Sequence, residues 1–130
     1  MNVEILIPIL LNDILEFHED LENSDIPVEG GVRDIALLEA AVNSPFQTFD
    51  GEDLFPSICE KAARLCYGIA NNHAFIDGNK RAAVHATEAF LMANQKQLEC
   101  SDDDMEDTII KVADGRMSYE ELAQWIKEHS

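Results

Sequence analysis

Apolar positions in this chain recur at helical spacing almost from end to end. Leu10, Leu11, Ile14, Leu15, His18 and Leu21 form a stripe at i, i+4, i+8 and their neighbours, which predicts an amphipathic helix over about residues 7–22. Pro27 to Gly31 breaks the pattern. The stretch "VRDIALLEAAVNSP" predicts a short helix over about residues 33–43, closed by Ser44-Pro45, because the residue before a proline is turned away from helical backbone. "FQTFDGEDLFP" reads as a loop with Asp50-Gly51 as its turn, and Phe46 and Phe49 are expected to pack inward.

Pro56 suits the first turn of the next helix. Ile58, Ala62, Leu65, Cys66 and Ile69 then form a core-facing stripe on a helix that runs to about Asn72. "KRAAVHATEAFLMAN" is rich in Ala and Leu and predicts a helix to about Asn94. Ser101 with Asp104 resembles a capping box and opens a helix that stops at Gly115. Ser118 with Glu121 is a second capping box, ahead of a last helix that turns Leu122, Trp125 and Ile126 inward. No strand pattern, internal repeat or low-complexity run stands out. The expected fold is all-α: a single-domain compact bundle of about six helices spanning residues 1–130, with the connection 73–81 between two core helices.

With 130 residues, 46% of them apolar, the chain can bury one core and is not of disordered composition. Its formal charge of −17 argues against nucleic acid, because such a chain repels a phosphate backbone, and against an anionic membrane surface for the same reason. "ILIPILL", residues 5–11, is too short to span a bilayer and has no basic residues before it. With no signal peptide visible, the expected location is cytoplasmic. The cysteines are Cys59, Cys66 and Cys100, an odd number without a C-x-x-C, so neither a disulfide framework nor a zinc site is indicated. Cys59 and Cys66 read as buried thiols of a reducing compartment. Asp102-Asp103-Asp104 complements the dipole of a first helical turn rather than suggesting a metal site.

The charge is unevenly spread. Residues 1–60 carry one basic residue, Arg33, against 14 acidic ones. Residues 101–130 carry 3 basic and 9 acidic residues. Residues 61–100 carry 5 basic and 3 acidic residues and form the net-positive segment. That segment contains "NNHAFIDGNKRAA", residues 71–83, which gathers several groups suited to handling a phosphate.

In this stretch His73 ends one predicted helix and Asn79 begins the next. A helix start leaves backbone N–H groups unpaired, and those groups with the dipole attract an anion. Gly78 lets the backbone turn and approach a ligand closely. Asn79 suits the N-cap, with an amide that can donate to a phosphate oxygen. Lys80 and Arg81 enter a first turn where acids are the usual choice, so two cations there point to something negative bound nearby. Asp77 supplies one carboxylate, and one or two carboxylates with substrate phosphates is the usual way a protein holds Mg²⁺. His73 can take a proton near neutral pH, and Phe75 is expected to anchor the loop in the core. The set reads as general base, metal ligand, phosphate nest and cationic clamp, the equipment for transferring part of a nucleotide to a hydroxyl. Taken singly, a helix-end histidine, a turn at Asp77-Gly78 and two solvated cations are plainer readings. Together, at compatible spacing, they favour a site.

At these residues the sequence resembles a known family. His73 to Arg81 matches the Fic/Doc signature H-x-F-x-D/E-G/A-N-K/G-R. "GVRDIALLEAAV", "GEDLFPSICEKAA" and "VADGRMSYEELAQWI" resemble its death-on-curing (Doc) branch, toxins of type II toxin-antitoxin systems. The likeness covers roughly residues 28–127. Typical Fic enzymes carry G-N-G-R and transfer AMP from ATP to a protein hydroxyl. Doc toxins carry Lys where the second Gly stands, as Lys80 does here. The resemblance implies a Mg²⁺/ATP-dependent protein kinase that binds ATP in the reversed sense. Its γ-phosphate would go to a threonine of elongation factor Tu, and translation would stop. It implies that His73 activates the acceptor hydroxyl and Asp77 holds Mg²⁺. Gly78 and Asn79 would form the anion hole, and Lys80 and Arg81 would clamp phosphates.

Ala74 stands where many members have Pro, a departure that leaves the chemistry in place. The inhibitory S/T-x-x-x-E-G/N pattern is missed by one residue at Ser24, Glu29 and Gly30, so self-inhibition is not expected. The branch is instead silenced by a cognate antitoxin. A second reading is an AMP transferase of the same fold, and a third is a non-catalytic member kept for binding an antitoxin or another protein. A metal-dependent phosphohydrolase would want further ligands, and His18, His85 and His129 are poor candidates.

Overall fold

A computed structural model of the chain describes residues 6–130. Among these residues there are six α-helices and one short hairpin. In chain order they are α1 (Leu11–Glu22), α2 (Ile35–Asn43), a 3-10 turn (Ser44–Phe46), β1 (Thr48–Phe49), β2 (Glu52–Asp53), α3 (Ile58–Asn72), α4 (Asn79–Ala93), α5 (Asp102–Ala113) and α6 (Tyr119–Glu128). The fold is all-α, as the periodicity predicts. No described helix is long and apolar enough to cross a membrane.

α3 is the central helix. Ala62, Leu65, Cys66 and Ile69 of its stripe are buried, and so are Ala63 and Ala70 beside them. It packs most extensively against α4, whose Ala82, Ala83, Ala86, Phe90 and Leu91 are all buried. The alanines keep the two backbones close, and Phe90 and Leu91 fill the far end. α2 approaches α3 at Gly68, where a Cβ would stand 3.2 Å from that of Ala41. This α3–α4 pair carries the 73–78 connection at one end, so the core holds both sides of the candidate site rigidly.

The starts of α5 and α6 follow the serine caps that the sequence predicts. Ser101 accepts from the Asp104 N–H, and Ser118 and Glu121 form a reciprocal box. α3 is capped by Ser57, so Pro56 lies just outside the helix rather than in its first turn. Asp34 caps α2 by accepting from the N–H groups of Ala36 and Leu37.

Other expectations need correction. α1 begins at Leu11, later than its apolar stripe predicts. Asn94 at the end of α4 takes up both backbone groups of Ile7, at 2.9 and 2.8 Å, which holds the segment before α1 away from helical pairing. Residues 48–53 form a hairpin, with Thr48 opposite Asp53 and Phe49 opposite Glu52. Its two-residue turn needs positive φ at both positions, which Asp50 (52°) and Gly51 (80°) supply. With two residues per strand, no alternating pattern was available to reveal it. Phe46 packs edge-on against Phe90, but Phe49 on the hairpin is 75% exposed.

The net-positive segment also looks different in space. Lys61 is buried on α3, bonded to Asp53 at 3.2 Å and to the Phe55 carbonyl, and so secures the loop after the hairpin. Arg64 lies over the rings of Phe55 and Tyr67. Two of the segment's five basic residues are thus spent on packing, whereas Lys80 and Arg81 are exposed.

Candidate active site

The connection between α3 and α4 is held in shape by three neighbouring segments. His73 is the C-cap of α3 and takes left-handed backbone, φ 52° and ψ 40°. A residue with a Cβ pays on the order of 1–2 kcal/mol for that conformation. Arg33 holds it there: its Nε donates to the His73 carbonyl at 2.7 Å, and its Nη2 reaches the Asn72 carbonyl at 3.4 Å. The His73 side chain is exposed. The corner turns the chain sharply at the histidine, so its ring leaves the helix and faces solvent.

Ala74 and Phe75 then plunge into the core. The Ala74 carbonyl accepts from the N–H groups of Arg33 and Asp34, at 2.7 and 3.0 Å. Phe75 forms an antiparallel bridge with Val32, and Ile76 N–H donates to the Gly31 carbonyl. Residues 31–34, from the loop ahead of α2, therefore form one wall of the connection. Phe75 is 1% exposed and stacks on the His18 ring, with centroids 3.9 Å apart. It anchors the loop as the sequence predicts.

Asp77 is exposed, and its carboxylate bridges two backbone donors: Glu29 N–H at 3.0 Å and Gly78 N–H at 2.9 Å. These bonds, Glu29's first, hold its pKa below the ordinary 3.8; slight burial opposes them, and His18 and Lys80 add smaller pulls. The group is an ionised carboxylate at neutral pH. Among the described residues no cluster of three His, Cys, Asp or Glu side chains could hold a metal by itself. A single ionised carboxylate would suit a cation only if substrate oxygens completed its shell, and Asp77 is the group that would hold it.

Gly78 takes φ 82° and is the N-cap of α4. A Cβ there would come within 3.0 Å of Val28 and 3.4 Å of His18 Nε2. Asn79 is the first helical residue rather than the cap. Its amide is engaged by the Phe75 backbone: Oδ1 accepts from the Phe75 N–H and one Nδ2 hydrogen goes to the Phe75 carbonyl, which leaves the second Nδ2 hydrogen outside this pair. No side chain caps α4 and no acid stands in its first turn, so the first backbone N–H groups are left for an anion. Lys80 stands beside them, exposed. Arg81 is exposed too, but one arm of its guanidinium donates to the Ile26 carbonyl at 2.7 Å, which fixes its direction.

Beyond these cations a groove of about 580 Å³ runs between α1, α4 and α5. Phe17, Val84, Met105 and Ile109 supply apolar walls, and Lys80 and Arg81 stand at its edge. His85 lines it as well, stacked on Phe17 with centroids 3.6 Å apart. Burial pushes its pKa down, against a weaker pull from Asp20.

Three residues that shape the site escape sequence reasoning. Arg33 was visible only as an isolated cation, and His18 only as one member of a stripe. Glu22, whose carboxylate accepts the Gly31 N–H at 3.0 Å, gave no local signal.

An exposed histidine at a left-handed corner, a carboxylate on a glycine turn and an open helix start with two cations stand together at one end of a helical core. The family model described as Fic/DOC family matches residues 8–91, and the chain belongs to that family. Among named relatives it is similar to Toxin Doc of Mycolicibacterium smegmatis, at 49% identity over 67 residues, or 52% of each chain. The chain thus spans about half the length of the curated relative it matches.

Proposed function

We propose that this protein is a Doc-type toxin: a protein kinase that moves the γ-phosphate of ATP to a threonine of elongation factor Tu and so arrests translation. The observation that carries the reading is Lys80. It occupies the position where AMP-transferring members of the family have Gly, and its ammonium lies exposed beside the open start of α4. A glycine leaves a path for phosphates; a lysine fills that path and adds a charge to it. Phosphate is then drawn to the N–H groups, Lys80 and Arg81 together.

His73 takes the proton from the acceptor hydroxyl as that oxygen bonds to the γ-phosphorus. The bond from the γ-phosphorus to the bridging oxygen breaks, and ADP leaves with the electron pair. Asp77 would hold Mg²⁺, which when bound neutralises phosphate charge. Gly78 and Asn79 shape the turn that presents the α4 N–H groups. Between α1, α4 and α5, the groove offers apolar walls to the segment of a cognate antitoxin that would silence the enzyme.

Expression tests this reading. Induced without an antitoxin, the chain should stop protein synthesis, and His73→Ala should not. Toxicity that survives His73→Ala would overturn the catalytic account.

A further inference from the structure

The Asp77–Gly78 peptide lies at the turn into α4. Its N–H meets the Asp77 carboxylate, and its carbonyl points away towards α1. Gly78 is free to take either sign of φ, so nothing in its own backbone prevents this peptide plane from turning over. A turned peptide would aim a carbonyl, a partial negative charge, at the place where phosphate is to bind.

One side chain reaches that carbonyl. His18 Nε2 lies 2.7 Å from the Asp77 oxygen. A carbonyl only accepts, so Nε2 must carry the hydrogen. The ring is itself immobilised: it is 3% exposed and stacks nearly parallel on Phe75, at 3° between planes. Its Nδ1 faces Glu22 at 3.5 Å, and that carboxylate also accepts the Gly31 N–H. From one face of α1, these two side chains thus hold both walls of the connection.

We propose that His18 is a positioning residue for phosphate transfer, whose Nε2–H locks the Asp77–Gly78 peptide so that the open N–H groups of α4 face the nucleotide. This rests on reading the motif as a nucleotide site. A plain core histidine would serve equally well as any flat ring of its size. A positioning histidine needs its donor.

The experiment compares His18→Phe, which keeps a stacking ring and loses the donor, with His18→Gln, which returns an N–H at similar reach. The chain has six glycines, so ¹⁵N-glycine labelling isolates the Gly78 amide. That resonance is followed with and without Mg²⁺-ATP, beside the thermal midpoint and the KM and kcat of transfer. In His18→Phe the free-state Gly78 signal should move and the KM for ATP should rise on the order of tenfold, as expected for one lost polar contact. His18→Gln should recover most of both, at a similar thermal midpoint in the two variants. An unchanged Gly78 signal in His18→Phe overturns the proposal. So does equal loss in both variants, whether of binding or of folding, since the donor would then not matter. If wild-type Gly78 ignores ATP while its free-state signal still follows the donor, the lock stands as a structural contact and the nucleotide reading is what fails.

Discussion

The side-chain amide of Asn79 closes a ring on the backbone of Phe75. The Phe75 N–H donates to Oδ1 and Nδ2 donates to the Phe75 carbonyl, both at 3.0 Å. The first residue of α4 therefore grips the loop four residues before it, across the glycine turn. The amide thereby fixes the shape of the loop that leads into α4.

Asn79→Ala removes both bonds and leaves the Phe75 groups without partners. It should cost on the order of 1–3 kcal/mol of stability and lower transfer by a larger factor than stability alone explains. Urea unfolding and a transfer assay on the folded variant check this. Wild-type activity in Asn79→Ala would show that the loop holds its shape without the grip.

Gly78→Ala meets two penalties, positive φ and a crowded Cβ site near Val28. Gly115→Ala meets only the first, since φ there is 76° and nothing lies within 4 Å of the added atom. Both should be destabilised, Gly115→Ala by about 1 kcal/mol. Gly78→Ala should lose more, and should also lose ATP binding. Equal melting points for the two variants would contradict the crowding.

Asp77 gives the loop a sign in pH. Its pKa is depressed in the folded state, chiefly by the Glu29 N–H and next by that of Gly78. A depressed carboxyl stabilises fully above its unfolded value, and the contribution fades as pH falls through the lower folded value. The Glu29 and Gly78 amide signals should therefore titrate with a midpoint below the ordinary 3.8. A midpoint above 3.8 would mean that the two backbone bonds do not favour the ionised form.

Much of this was legible in the sequence. The stripes on α1 and α3, the serine caps of α5 and α6, and the sharp turn at Gly78 all depend on residues close together in the chain. The segment from His73 to Arg81 declared itself for the same reason. Local reading failed where the partner is distant. Arg33 caps the end of α3 from 40 residues away, and His18 reaches Asp77 from 59. In the sequence Lys61 is one of the five basic residues of segment 61–100, and its pairing with Asp53 depends on a hairpin that the pattern does not reveal. Asn79 begins α4 as the sequence predicts, but the cap is Gly78, and the bond of the Asn79 amide to the Phe75 backbone cannot be read from spacing.

The central claim is which phosphorus of ATP the acceptor hydroxyl attacks, and the position of a radiolabel tests it most directly. The purified chain, Mg²⁺ and elongation factor Tu would be incubated once with γ-labelled and once with α-labelled ATP, with His73→Ala as control. The account predicts label on the factor from the γ position alone, absent in His73→Ala. Label from the α position would contradict it: the protein would be an AMP transferase, and Lys80 would not decide the chemistry.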